Sequence, residues 1–381
     1  MDEQKKTTTL AASVGADAGQ PFVKDNTEIV SNSIKENNPS HKEMYELLRK
    51  INQLNDPHYL HTISLNELFE SVYEGRTPII DGLLSAGSFI LAGAPKTGKS
   101  FLVAQIAYHV STGQSLWGYA VRQGTVLYLA LEDDYRRLQS RMYHMFGTES
   151  NEQLHFAIYA KQLGSGLDEQ LKQFVQEHRN TKLIIIDTLQ KIREAQGETY
   201  SYANDYELIG KLKRFADENV VCVLVVHHTR KQQADDKFDR ISGTNGLLGA
   251  ADGALILEKE KRTSNTATLD ISSRDEQDQR LYLTRDEDRL VWNLERTEAE
   301  LWKEPPDPIL ESVASMLTKE TPTWTGSPTE LAERLDIDLK PNVLTMRLNV
   351  KAGKLLQDYA IHYENIRTHA GRKITLTRKT E

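Results

Sequence analysis

The chain has one cysteine, Cys222, in 381 residues. That excludes an intrachain disulfide and leaves Cys222 as a small buried strand residue. Long apolar runs are also missing. The longest, 183–186 and 220–226, fall far short of the ~20 residues a membrane-spanning helix needs, and the polar start, residues 1–10, lacks an apolar signal core. The expected compartment is therefore the cytoplasm, with no membrane partner. An excess of positive charge is absent too. With 47 Lys and Arg against 55 Asp and Glu, the net charge of −8 excludes a chain that coats nucleic acid with its whole surface. Any such contact must come from a local basic patch. What remains, 39% hydrophobic and 27% charged residues, is enough to bury a sizeable core. The length favours one large core with smaller attachments.

Residues 1–40 are rich in Thr, Ala, Gly, Asn, Lys and Glu without apolar periodicity and read as a disordered leader. Between 41 and 80 an N-terminal helical segment is expected. Met44, Leu47, Leu48, Ile51 and Leu54 share one helical face, and Ser64 with Glu67 three residues on suits a cap for a helix over 63–75. From 81 to 304 apolar strands alternate with helices: strands at 88–92, 125–132, 155–158, 183–187, 220–227 and 253–258, helices at 99–112, 134–146, 168–178 and 206–218. Fully apolar strands alternating with helices predict an α/β fold, a parallel sheet covered on both faces. Pro305, Pro306 and Pro308 mark a break. Beyond it, 308–381 reads as helices at 309–319, 329–335 and 341–357 followed by strands at 359–366 and 373–377, the order of a small winged-helix domain.

The segment Gly93-Ala94-Pro95-Lys96-Thr97-Gly98-Lys99-Ser100 fits G-x-x-x-x-G-K-[ST] between a predicted strand and a predicted helix. Gly93 and Gly98 let the backbone curl its N–H groups toward phosphates, and the helix N-terminus adds partial positive charge. Lys99 should reach the β- and γ-phosphates of ATP and Ser100 should ligate Mg²⁺, with Phe101 closing the run. Leu183-Ile184-Ile185-Ile186-Asp187 ends an apolar strand in a carboxylate, which places Asp187 beside the loop as a second magnesium residue, acting through water. A turn-capping aspartate is the alternative.

Taken in order, the phosphate loop, Leu131-Glu132-Asp133-Asp134, Ile186-Asp187-Thr188 and Val225-Val226-His227-His228-Thr229 resemble the RecA superfamily over about 81–292. Within it they resemble the RepA-like replicative helicases of plasmids and related ATPases of mobile elements. The resemblance implies a RecA-like ATPase domain whose water-activating carboxylate comes from the strand after the phosphate-loop helix. That residue is Glu132, with Asp133 as competitor and helix capping as the bland alternative. It also implies a γ-phosphate sensor at the end of a central strand. Strand alternation sends His227 and His228 to opposite faces, so one of them serves, and His228 is preferred. RecA proteins have Gln at that point, a departure that leaves the sensor chemistry open.

An arginine finger from a neighbouring subunit commonly completes such a site. Leu269–Arg274 resembles the strand of replicative helicases that ends in that arginine, pointing to Arg274, with Arg280 and Arg262 behind it; a solvated strand-end arginine is the alternative. A homo-oligomer, a hexamer by resemblance, follows. The polar segment 229–245, carrying Arg230, Lys231, Lys237 and Arg240, and the segment 190–202, with Lys191, Arg193 and Tyr200, are candidate single-stranded DNA loops. Asp235, Asp236 and Asp239 weaken the first. From Lys340 to Lys379, nine Lys and Arg face two acids. Arg347, Lys351 and Lys354 on the last helix, with Arg372 and Lys373 on the hairpin, could hold duplex DNA, although winged helices also serve as protein contacts. The expected function is an ATP-hydrolysing helicase. An ATP-switched DNA-binding regulator or loader is the rival, and a small-molecule kinase ranks last because no acceptor pocket is legible.

Overall fold

The computed structural model describes residues 49, 56, 58–60, 62–73, 76, 78–193, 202–229, 238, 241, 245–274, 277–299, 307–318, 320–368 and 371–379. The expected leader, and all of the expected helix at 41–55 except Arg49, lie outside the described residues. The chain divides into two units, Met1–Phe69 and Glu70–Glu381. In the first, α1 (Leu65–Glu70) begins on a capping box: Ser64 Oγ accepts from the Glu67 N–H at 3.2 Å while the Glu67 carboxylate accepts from the Ser64 N–H at 2.7 Å. The helix expected to run to residue 75 stops at Glu70. Within the second unit Val72 packs into the core of the last 75 residues instead of continuing a helix.

Among the described residues, the main sheet of the second unit has nine strands. A short hairpin, β1 (Pro78–Ile80) and β2 (Leu84–Ser85), precedes β3 (Gly87–Gly93). There follow α2 (Lys99–Thr112), β4 (Thr125–Ala130), α3 (Tyr135–Phe146), β5 (Leu154–Ala157), α4 (Leu167–Glu177), β6 (Thr181–Asp187), the single turn α5 (Leu189–Ile192), α6 (Tyr202–Asn219) and β7 (Cys222–His228). The series closes with α7 (Asn245–Ala250), β8 (Gly253–Glu258), β9 (Thr266–Ser273), β10 (Gln279–Arg285) and β11 (Trp292–Ala299). The order across the sheet is β11-β10-β9-β8-β3-β7-β6-β4-β5. β8, β3, β7, β6, β4 and β5 run parallel, and β9 to β11 extend one edge antiparallel.

Alternation along the apolar strands sorts the core into two layers. Phe89, Leu91, Val126, Tyr128, Ile185, Leu224 and Val226 face α2. Ile90, Ala92, Leu127, Leu129, Ile184, Ile186, Val223 and Val225 face α4 and α6. A parallel sheet with helices on both faces is the architecture expected from the sequence. The antiparallel edge is the part not foreseen beyond the strand at 269–274: β10 and β11 carry mostly polar residues and are held by pairing rather than by a continuous apolar run.

The last described stretch has its own core of Leu310, Val313, Leu331, Leu344, Leu348, Leu355, Ile361, Ile374 and Leu376. Its elements are α8 (Pro308–Met316), β12 (Thr323–Gly326), α9 (Pro328–Arg334), α10 (Pro341–Tyr359), β13 (Ile361–Thr368) and β14 (Gly371–Arg378), with sheet order β12-β14-β13. α8 starts at Asp307, whose side chain accepts from Ile309 N–H at 2.9 Å, and α9 at a Ser327–Glu330 capping box. β12 has no counterpart in the sequence pattern. It pairs Thr323 to Gly326 against β14 and turns the predicted hairpin into a three-stranded sheet.

Candidate nucleotide-binding site

β3 delivers the chain to the phosphate loop and α2 leaves it. At the junction Gly98 takes φ 102°, a left-handed conformation suited to glycine, and a Cβ there would stand 2.9 Å from Trp292 Cζ2. At Gly93 a Cβ would stand 2.5 Å from the Leu257 carbonyl oxygen. The loop is therefore pressed between β8 and β11, and neither glycine has room for a side chain. Lys99 is buried at the first turn of α2, where its ammonium donates to the Gly93 and Ala94 carbonyls at 2.8 and 2.9 Å. Thr97 Oγ1 donates to the Ala94 carbonyl at 2.9 Å. Burial pulls Lys99 down to about 8, against the pull of Asp187 and Glu132 in the opposite direction. A triphosphate would supply the missing negative charge.

The sheet brings the other groups to this edge. Asp187 ends β6 and follows Ile185 on the α2 face. Its Oδ2 accepts from the Tyr128 hydroxyl at 3.0 Å, and Ser100 hydrogen bonds to the same carboxylate. Burial raises the Asp187 carboxyl above its ordinary range, and the bonds from Ser100 and Tyr128 hold it back. Glu132 lies two residues past β4, on the parity of Tyr128 and Ala130, and its Oε1 accepts from Thr188 Oγ1 at 3.1 Å. His228 ends β7 on the parity of Leu224 and Val226, so it too faces α2. Its Nδ1 is 3.4 Å from Lys99 Nζ. Burial and the Lys99 charge keep the imidazole below its ordinary pKa. His227 has the opposite parity and is buried.

Neighbouring carboxylates have other work. Asp133 pairs with Arg141 at 2.7 Å and Arg137 at 3.2 Å. Asp134 caps α3 by accepting from the Arg137 N–H at 2.8 Å. Capping thus falls to Asp134, which leaves Glu132 on Thr188. Phe101 turns its ring toward Arg285 and Arg141, whose guanidinium carbons lie 4.2 and 5.1 Å from the ring centroid.

Arg274 is not brought to this edge within one chain. β9 ends beside the start of β8, the Arg274 N–H donates to the Asp252 carbonyl at 2.9 Å, and its guanidinium donates to the Gly249 carbonyl at 2.9 Å, all at the opposite end of the sheet from the phosphate loop. Arg280 is paired with Asp270, and Arg262 is exposed in the turn between β8 and β9. One expected DNA-facing cation is corrected: Arg193 is largely buried and pairs with Asp205 at 2.8 Å, while Lys191 is exposed. Tyr200, Arg230, Lys231, Asp235, Asp236, Lys237, Asp239 and Arg240 lie outside the described residues. Tyr128, Thr188 and Trp292 are site residues that the sequence pattern does not single out. Their only signal is a hydroxyl or indole inside an otherwise apolar strand or at its end.

Among the described residues no group of three or more His, Cys, Asp or Glu could hold a metal by itself. A magnesium ion nevertheless fits the donors present: Ser100 and Asp187 offer hard oxygens in hydrogen-bond contact, and such a cation usually draws its other ligands from water and phosphates.

Fold and site together define a phosphate-loop ATPase with a RecA-like sheet. A model of the AAA domain family matches residues 34–234, over half of the 381-residue chain, and the protein belongs to that family. Curated proteins include no match. Among solved structures, an ATPase domain of another protein is similar at 16% identity, covering 68% of this chain and 99% of that one with a TM-score of 0.46. A DnaB-like replicative helicase, described with its interactions with primase, is similar at 15% identity, covering 71% and 75% of the respective chains with a TM-score of 0.45. Among the described residues no helix is long and apolar enough to cross a membrane.

Proposed function

We propose that the protein is an ATP-hydrolysing, DNA-directed motor, a RepA-like replicative helicase of a plasmid or other mobile element, acting as a hexameric ring. One observation carries the reading. Glu132, which arrives from the strand next to β6 rather than from the residue after Asp187, stands hydrogen-bonded to Thr188 on the same edge as Lys99, Ser100 and His228. A carboxylate on a separate strand can be displaced relative to Asp187 by a neighbour or by DNA, which suits an ATPase whose hydrolysis is coupled to movement.

In the proposed reaction the loop N–H groups and Lys99 hold the β- and γ-phosphates. Ser100, and Asp187 through water, would hold a magnesium ion, which would supply neutralisation of the phosphate charge. Glu132 orients a water and accepts its proton as the water oxygen bonds to the γ-phosphorus and the bond to ADP breaks, giving ADP and inorganic phosphate. His228, neutral beside Lys99, senses the γ-phosphate and relays its loss to the segment after β7. Arg274 of one subunit supplies the finger to the next.

The stretch 308–378 is proposed to be a winged helix that binds duplex DNA. Helix, strand, two helices and a hairpin with sheet order β12-β14-β13 support this. Arg347 and Lys373 are exposed for phosphate contact, whereas Lys351 pairs with Asp307 and Arg372 with Glu70.

The test is strand separation on a tailed duplex with ATP, with Lys99→Ala as the inactive control. DNA-stimulated hydrolysis without unwinding would sink the helicase reading. Mixing Arg274→Ala with Glu132→Gln subunits tests the shared site: activity restored in the mixture supports it, and additive loss refutes it. The separate core of the C-terminal stretch favours one second reading, an ATP-switched DNA-binding regulator or loader. Sequence-specific duplex binding with no unwinding would select it.

A further inference from the structure

Tyr128 is a large, fully buried side chain with a polar tip, set in the α2 layer of the core. Its place is fixed by strand register. In the β4–β6 pairing Tyr128 stands opposite Ile185 and Ala130 opposite Asp187, and parity puts Tyr128 and Asp187 on the same face. The phenol ring packs 5.6 Å from Phe156, tilted, so the ring has little freedom. The small side chain of Ala130, opposite Asp187, leaves the space through which the phenol extends one residue pair along the strands to donate to Asp187 Oδ2 at 3.0 Å.

A buried tyrosine hydroxyl usually finds a partner, but this partner is specific. Asp187 is the carboxylate assigned above to the magnesium side of the site, and it receives donors from two elements: Tyr128 from β4 and Ser100 from α2. Two donors from different elements restrict how the carboxylate can turn, and the Tyr128 bond ties down Oδ2. A hydroxyl that ligates a cation through its lone pair can still donate its proton to a carboxylate, so Ser100 could serve a cation and Asp187 together. The Tyr128 bond is made by a fully buried side chain between two paired strands of the core.

We propose that Tyr128 is a positioning residue for the magnesium site, holding Asp187 so that the water-bridged cation is met by a pre-oriented carboxylate. The proposal rests on the nucleotide-binding reading and adds to it a residue outside every motif. It is specific to the hydroxyl: the ring is core packing, and the O–H is the functional part.

The experiment uses the full chain and its Tyr128→Phe variant, which keeps the ring and removes only the hydroxyl. Binding of a fluorescent N-methylanthraniloyl ATP analogue is followed in EDTA and then across a magnesium titration. The magnesium concentration at half effect should rise about ten-fold in Tyr128→Phe, the scale seen when a residue supporting a metal ligand is removed. Affinity in EDTA should stay at the wild-type value. In an Asp187→Asn background the same change should have no further effect on the magnesium dependence. A Tyr128→Phe titration that overlays wild type overturns the proposal. So does an equal loss with and without magnesium, which would mark the hydroxyl as merely structural. If the wild-type chain binds the analogue without any magnesium dependence, the parent reading of Ser100 and Asp187 falls, and this proposal falls with it.

Discussion

The imidazole of His228 stands 3.4 Å from the ammonium of Lys99, on the α2 side of the sheet, while His227 points into the opposite layer. Two adjacent histidines are thus separated by the sheet itself. His228→Ala should lower the rate of ATP hydrolysis by about 100-fold, the scale of losing one preorganised polar group at a reacting phosphate, with nucleotide binding retained. His227→Ala should leave the rate close to wild type and lower the unfolding midpoint. Single-turnover hydrolysis on the two variants decides it, and a larger rate loss for His227→Ala would sink the assignment of faces.

Lys99 makes nucleotide binding pH-dependent. In the free protein burial lowers it to about 8, whereas the unfolded chain keeps the ordinary value of 10.5. Between these values the folded state binds fewer protons than the unfolded one, so this group's contribution to stability rises with pH across the window. A bound triphosphate reverses the shift. Binding at pH 9 should therefore take up most of one proton, binding at pH 7 almost none, and affinity should weaken as pH climbs above about 8. Calorimetry in two buffers of different ionisation enthalpy measures the uptake, and Lys99→Arg, always charged, should abolish it. Equal heats in both buffers at pH 9 would refute the linkage.

Glu132 and Asp133 are neighbours with different expected phenotypes. Glu132 touches Thr188 beside the phosphate loop, while Asp133 is held by Arg141 and Arg137. Glu132→Gln should bind ATP and hydrolyse it more slowly by about 100-fold, the low end of what a positioned base contributes. Asp133→Asn should hydrolyse normally but lose about 3 kcal/mol of stability, as expected when a largely buried pair loses one partner. Rate and urea midpoint measured on both variants separate the roles, and a rate collapse in Asp133→Asn would exchange them.

How much of this is legible in the sequence depends on how local each signal is. Strands such as the one through 183–186, whose inward and outward positions are all apolar, announce themselves, and so do glycines whose spacing already implies a curled loop. α2 matches its predicted span, Lys99–Thr112, because cap glycines bound it at both ends. β11 is not legible as a strand: Trp292 is buried, but Asn293, Glu295, Arg296 and Thr297 are polar and mostly exposed, and its partner β10 supplies the order. Arg193 reads as a surface cation until folding places Asp205 beside it. The Tyr128 bond joins residues 59 apart in the chain, and no periodicity within β4 reports a partner on β6. Groups presented along one strand or loop are thus readable from the chain, and those defined by a contact between two are not.

Asp252 offers a stability test far from the phosphate loop. Its side chain is 1% exposed at the start of β8, where Oδ2 accepts from the Ser88 N–H at 3.0 Å and Oδ1 meets Arg76 at 2.8 Å and Lys213. Gly87 makes room, since a Cβ there would lie 2.7 Å from Asp252 Oδ2. Burial alone would raise the carboxyl, but Lys213, the Ser88 N–H and Arg76 outweigh it and hold Asp252 below its ordinary value. A depressed folded pKa means that the stabilisation is present above the unfolded carboxylate value, near 3.9, and is lost as pH falls through the folded one. Asp252→Ala should therefore cost about 3 kcal/mol at pH 7, leaving Lys213 and Arg76 without their shared partner. The gap between variant and wild type should narrow steadily below about pH 4, because wild type forfeits the same interaction on protonation. Urea unfolding at pH 7 and at pH 3 measures both. A gap that stays constant between them would show that Asp252 acts through packing, and the account of a charge-held junction between residue 76, α6 and the sheet would have to be abandoned.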